Sequence, residues 1–321
     1  MRAPAFWWQP PSLAAYGLLP LGCIYAAITH WRRRLSEPTR LPVPLICVGN
    51  AVAGGAGKTP IVRTIAHLLA ARGKTPHILL RGYGSHIKTG KQVIASDDCQ
   101  SVGDEALMLA KEFPVWSGKN RLDNAMQAIA AGADILIMDD GFQNPQLYKN
   151  YSLLVVDGNS VFGNGFPIPA GPLREWPSSA LAAANAVMLM GAIAPHHSLP
   201  QQHLSVFHAN ITPSPAWEKI RGQKIWAFAG IGRPEKFFTM LQEQQALLAG
   251  SSPFPDHHFF TPHQLQQLRN AASLHDAFLV TTEKDWTRLP PFWQQQILPL
   301  PIEANIQNIS HFFEHLSHHV A

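Results

Sequence analysis

LICVGNAVAGGAGKTP, residues 45–60, joins a short apolar run to a glycine-rich turn and then to Gly57-Lys58-Thr59. The spacing predicts a buried strand over Leu45–Val48 and an amphipathic helix over Ile61–Ala71. Between them, Gly54, Gly55 and Gly57 let backbone N–H groups turn inward around an anion without Cβ clashes. The residues Gly54, Gly55, Ala56, Gly57, Lys58, Thr59 and Pro60 therefore read as a phosphate-binding loop. The helix N-terminus adds partial positive charge, Lys58 can reach the β- and γ-phosphates, and the Thr59 hydroxyl can ligate Mg²⁺. The strict P-loop pattern would put its first glycine at position 52, where Val52 stands. What remains is GGxGKT in a strand–loop–helix context, which marks a nucleotide-phosphate site.

The rest of the chain extends this reading. Ala133–Gln143 (ADILIMDDGFQ) places Asp139 and Asp140 at the C-terminal end of a buried strand. Paired with the Gly57-Lys58-Thr59 turn, this is a Walker-B arrangement, whose carboxylates face Mg²⁺ opposite Thr59. Lys74–Leu80 and Tyr151–Asp157 repeat the buried-strand pattern, so the class is α/β with a doubly wound parallel sheet. Arg81-Gly82-Tyr83-Gly84 follows a strand's C-terminal end, where Tyr83 either meets ligand or packs in a turn. In Ser101-Val102-Gly103-Asp104-Glu105 the carboxylates open a helix over Ala106–Glu112, and capping is as good an explanation as chemistry. Phe162–Trp176 is a Gly/Pro-rich loop of functional length that carries Arg174 and Glu175, and Arg suits bidentate phosphate binding.

From Ala184 onward come strands over Ala186–Met190, Ser205–Ile211, Lys224–Ala229, Ala277–Thr282 and Ile297–Ile302. Helices over Pro234–Ala249, Pro262–Ser273 and Ile306–His318 alternate with them. A second α/β unit is expected, with domains at 1–34, 35–180 and 181–321. The chain has 321 residues, enough for two such units. A net charge of +4 does not argue for nucleic acid, and three cysteines without CxxC spacing imply no disulfide framework. Sixteen histidines invite a metal reading, but no HExxH occurs, and His311, His315 and His319 read as one solvated helix face.

Leu13–Ile28 is uncharged, preceded by Phe6-Trp7-Trp8 and followed by Trp31-Arg32-Arg33-Arg34. Sixteen helical residues would span about 24 Å, short of a hydrocarbon core of about 30 Å. Tryptophans at the edges and a trailing arginine cluster fit a monotopic anchor on an anionic cytoplasmic leaflet.

Taken in order, VGNAVAGGAGKTP, LLRGYG, SVGDEALML, ILIMDDGFQ, FGNGFPIPAGPLRE, AFAGIGRPEKFF, FPDHHFF and VTTEKDW resemble the tetraacyldisaccharide 4′-kinase family, the lipid A 4′-kinases of the Gram-negative envelope. The resemblance implies two α/β/α domains around a cleft and a membrane-associated N-terminal helix. It also implies transfer of the ATP γ-phosphoryl to the 4′-hydroxyl of a tetraacylated disaccharide 1-phosphate, at the cytoplasmic face of the inner membrane, by a monomer. It makes Asp104 the base, paired with His257 rather than His258, with Lys58 on the phosphates and Asp139 and Asp140 on the metal side. Tyr83, Arg174 and Glu175 fall in the substrate site, and Lys284 on the nucleotide side. A deviant-Walker switch ATPase is the main rival, but Ala53 stands where its signature lysine belongs. A GTP-driven metallochaperone would want NKxD where TEKD stands.

Overall fold

Continuous apolar runs become strands here because both of their faces are covered. The computed structural model describes residues 4–82, 90–195, 197–199 and 204–320. Among them, strands are numbered in chain order: β1 (Leu45–Gly49), β2 (Pro76–Leu80), β3 (Lys91–Gln92), β4 (Val115–Ser117), β5 (Ile135–Asp139), β6 (Tyr151–Asp157) and β7 (Ala186–Met190). They continue with β8 (Ser205–Pro213), β9 (Lys224–Ala229), β10 (Leu247–Pro253), β11 (Phe278–Thr282), β12 (Leu298–Leu300) and β13 (Ile302–Ile306).

Two sheets result, one ordered β13-β8-β7-β6-β1-β5-β2-β4-β3 and the other β10-β9-β11-β12. In the first, β8 through β4 run parallel, while β13 and β3 are antiparallel edges. Alternate residues of β1 enter two different cores. Ile46 and Val48 pack with Ile61, Val62 and Ile65 of the helix Lys58–Ala70, and Leu45 and Cys47 pack with Leu136, Met138 and Phe142. The second sheet is all parallel and likewise has one core on each side. Both units are α/β/α layers. The C-terminal ends of β1, β5 and β6 converge at the centre of the first sheet, where doubly wound sheets place ligands.

Three expectations are corrected. The split at residue 180 fails because β7 and β8 continue the first sheet, and β13 returns to its edge. The expected strand Ile297–Ile302 is divided at Pro301, with β12 in the second sheet and β13 in the first. The chain therefore crosses between units twice, near Ser214 and near Pro301, and the C-terminal helix Ile309–Val320 packs Phe312 and Leu316 against the first core. The helix expected over Pro234–Ala249 ends at Glu243. Gln245 takes a left-handed turn (φ 60°), and the chain enters β10 beside β9.

The N-terminal helix runs Leu13–Arg34, six residues beyond the expected end, with Arg32, Arg33 and Arg34 opposing the helix dipole in its last turn. Twenty-two residues make it long and apolar enough to cross a membrane. Its small face, Ala15, Gly22 and Ala26, is buried. A Cβ on Gly22 would lie 2.8 Å from the Pro167 carbonyl oxygen, so only glycine lets the helix sit this close to the Phe162–Trp176 loop. Leu13, Leu21, Ile24, Ile28 and Trp31 remain exposed on the other side.

Candidate active site

The phosphate loop is held open by its own side chains. Gly54 (φ 130°) and Gly57 (φ 77°) take backbone conformations that L-residues rarely adopt. Asn50 Nδ2 donates to the Gly54 carbonyl at 3.2 Å, and Lys58 Nζ donates to Asn50 Oδ1 at 3.1 Å. Val52, the departure from the strict motif, is buried in a bridge with Leu173 of the Gly/Pro-rich loop. Ala53 N–H also donates to the Pro172 carbonyl at 2.7 Å. The Val52 side chain packs in the core cluster that holds Leu173, Val161 and Phe162, where a glycine would leave a gap. Ala56 is buried, and Thr59 and Pro60 begin the helix.

The two aspartates that end β5 have different surroundings. Asp139 is buried and accepts from the Thr59 hydroxyl through Oδ2 at 3.3 Å, while Oδ1 has no partner. Burial raises its pKa, and the negative charges of Glu105 and Asp140 add to that against Lys58. An orphaned, buried carboxylate oxygen beside the Thr59 hydroxyl fits a divalent cation that takes its other ligands from phosphate and water. Among the described residues, no cluster of three or more His, Cys, Asp or Glu side chains forms a complete cage. Asp140, also expected on the metal side, has its Oδ1 held by Arg174 at 2.8 Å and Lys58 at 3.3 Å.

Asp104 begins the helix Asp104–Leu109 and is buried against the second unit. Its Oδ2 accepts from Arg288 Nε at 2.9 Å and lies 3.0 Å from His257 Nδ1 and 4.0 Å from Lys284 Nζ. Burial pushes the carboxyl up, but the His257 hydrogen bond and the Lys284 and Arg288 charges outweigh it and hold it well below the usual carboxylate range. His257 sits at φ 57° in its loop. His258 faces away, stacked on Phe254 and bonded to Gln264 at 3.1 Å.

Two chains of contact differ from expectation. Glu175 is buried in structural contacts: Oε2 accepts from Arg33 of the N-terminal helix at 2.9 Å and from Ser179 at 3.1 Å, and Oε1 from Gln143 at 3.1 Å. Lys284, expected on the nucleotide side, donates to Glu105 at 3.1 Å beside Asp104. Arg174 reaches Asp140 after β5, beside Lys58 of the phosphate loop. Tyr83 lies outside the described residues.

The family model for tetraacyldisaccharide-1-P 4′-kinase matches residues 14–321. The chain belongs to the tetraacyldisaccharide 4′-kinase family. It is a kinase enzyme. The tetraacyldisaccharide 4′-kinase of Gluconobacter oxydans is 45% identical over 307 residues, covering 94% of this chain and 93% of its own length. That of Paramagnetospirillum magneticum is 43% identical over 314 residues, covering 95% and 94%. The crystal structure of LpxK from Aquifex aeolicus in complex with ATP matches with a TM-score of 0.78 at 23% identity, over 96% of this chain and all of that one. At that identity the likeness speaks to the fold.

Sequence reasoning about this family member missed four polar residues, three of them buried. Asn50 braces Lys58, Gln143 Nε2 donates to the Asn50 carbonyl at 3.0 Å, and Arg121 donates to the Asp139 carbonyl at 3.2 Å. Burial lowers the Arg121 pKa to about 10 despite the adjacent aspartates. Arg288 is the fourth. Each lies within three residues of a quoted motif or at a helix start, but one sequence gives no sign of which polar side chains turn inward.

Proposed function

We propose that this kinase transfers the γ-phosphoryl group of ATP to the 4′-hydroxyl of a tetraacylated glucosamine disaccharide 1-phosphate, giving a lipid A precursor. The observation that carries the reading is the meeting of Asp104 from the first unit with His257 from the second, in the chain of charge that leads through Glu105 to Asp139 and the phosphate loop. Such a pair needs both units, so acceptor chemistry is tied to closure of the cleft and water is kept from ATP.

The P-loop amides and Lys58 hold the β- and γ-phosphates, and Lys58 leaves Asp140 as it does so. Arg174 neutralises Asp140 and stands ready for a phosphate oxygen. Thr59 and Asp139 would hold Mg²⁺, which supplies charge neutralisation on the transferring group. Asp104 orients the acceptor hydroxyl in line with the γ-phosphorus. The new O–P bond forms as the bond to the β,γ-bridging oxygen breaks and ADP departs. The hydroxyl proton becomes acidic only as that bond forms, so even a strongly acidic carboxylate takes it late in a loose transition state. His257 keeps the Asp104 carboxylate in place. Tyr83 stays in this proposal as an acceptor-side residue.

The exposed apolar side of the N-terminal helix and its closing arginines support a seat on the cytoplasmic leaflet of the inner membrane, with the acyl chains of the acceptor close by. The enzyme acts as a monomer. The test is transfer of labelled γ-phosphate from Mg-ATP to the detergent-dispersed acceptor by wild type, Lys58→Ala and Asp104→Ala. Label in the lipid that disappears in both variants supports the proposal. ATP hydrolysis without labelled lipid overturns it.

A further inference from the structure

We propose that Arg288 is the positioning residue of this site, a buried guanidinium that fixes Asp104 and the His257 loop relative to one another. This rests on the reading of Asp104 as the base. The Arg288 side chain is 1% exposed and belongs to the second unit, yet its Nε donates across the cleft to Asp104 Oδ2. Its Nη1 donates to the carbonyls of Gly230 at 3.2 Å and His258 at 3.1 Å, and to Asp285 at 3.1 Å. The Gly230 carbonyl also accepts the His257 N–H at 3.1 Å. One planar group therefore spans the base, the residue after its histidine partner, and the strand end that holds the histidine backbone.

Asp285 shares the Arg288 charge through Nη1, but it also accepts from the Gly230 N–H and the Thr282 hydroxyl, which leaves Nε to Asp104. Burial raises the Asp285 pKa even so, while that of Asp104 is lowered. With Oδ2 occupied by Arg288 and His257, Oδ1 carries one hydrogen bond, from the Glu105 N–H, and keeps a lone pair for the acceptor hydroxyl. A lysine cannot do this alone, since one ammonium lacks the forked geometry needed to reach Asp104 and the carbonyls together. The other groups facing Asp104 are Lys284 and His257 from the second unit, with Asp256 behind the histidine, and Glu105 and Cys99 from its own side.

The test measures kcat and KM for lipid transfer in Arg288→Met, Arg288→Lys and Asp104→Asn, with thermal unfolding of each. Misplacing the base costs turnover rather than nucleotide binding, so Arg288→Met should lower kcat on the order of 100-fold with KM for ATP held. Arg288→Lys should recover kcat only partly. Arg288→Met with wild-type kcat, or with the loss carried by KM for ATP alone, overturns the proposal, as does Arg288→Lys with wild-type kcat. The lysine variant decides the matter if the methionine variant does not fold. Asp104→Asn that still transfers phosphate sinks the base reading itself, a result independent of both arginine variants.

Discussion

Arg33→Met tests how the N-terminal helix is fastened to the catalytic unit. Arg33 donates to Glu175 at 2.9 Å and to the Phe142 carbonyl at 3.1 Å, and the side chains are 31% and 5% exposed. Breaking a fully buried ion pair at one end costs about 3–5 kcal/mol, because the other charge is stranded. Arg33 is partly solvated and Glu175 keeps Gln143 and Ser179, so we take roughly 1–3 kcal/mol here. A change of 1 kcal/mol moves Tm by about 2–4 °C in chains of 150–250 residues, and somewhat less in one this long. Thermal unfolding in detergent should therefore show a fall of a few degrees. Glu175→Gln should recover part of that loss in the double variant, because no carboxylate is then buried without its cation. The coupling energy of the cycle should be about 0.5–3 kcal/mol, the range for residues in direct contact. Additivity within about 0.5 kcal/mol would refute the stated role of Glu175 and return it to the substrate side.

Two further outcomes follow from buried geometry. Asp139 has a raised pKa, so its carboxylate costs nothing below the ordinary carboxylate range and destabilises the fold as pH rises through the folded value. Asp139→Asn should therefore raise Tm at pH 8 in EDTA while abolishing transfer, with the gain vanishing toward pH 4; equal Tm values at both pH values would contradict this. Gly22→Leu should push the N-terminal helix off Pro167, seen as faster proteolysis after Arg34 with the Tm of the main fold held, and an unchanged cleavage rate would show that the helix is not seated there.

The strands that were plain in the sequence are those buried on both faces. Tyr151–Asp157 and Lys224–Ala229 coincide with β6 and β9, since a parallel strand covered on both sides is a continuous apolar run. β4, only three residues long, and the helix Arg121–Ala130 leave no pattern in the sequence, the latter because its buried face is made of Ala125, Ala128, Asn124 and Arg121 rather than large apolar side chains. β10 was hidden in an apparent helix because LLAG carries no period to separate the two, and the left-handed turn at Gln245 falls on a residue with no turn signature. Sheet membership was the deepest loss. Nothing in Ala186–Met190 says whether it joins the strand before it or the strands after, and the return of β13 to the first sheet is a long-range pairing no local pattern records. In the site, the GGAGKT and DDGFQ runs announced themselves by glycines and paired charge. Arg288 and Asn50 did not, because their work depends on which carboxylate and which carbonyl lie opposite them in space.

The most direct test of the central claim is the position of the new phosphate. Wild-type enzyme is given Mg-ATP carrying label in the γ-phosphate and a tetraacyldisaccharide 1-phosphate, and the lipid product is treated with mild acid, which cleaves a phosphate on the anomeric carbon and spares a simple monoester. The account predicts that the label stays with the lipid as a 4′-monoester while the unlabelled 1-phosphate is released. Label lost with the acid-labile phosphate, or never found in the lipid, would contradict it.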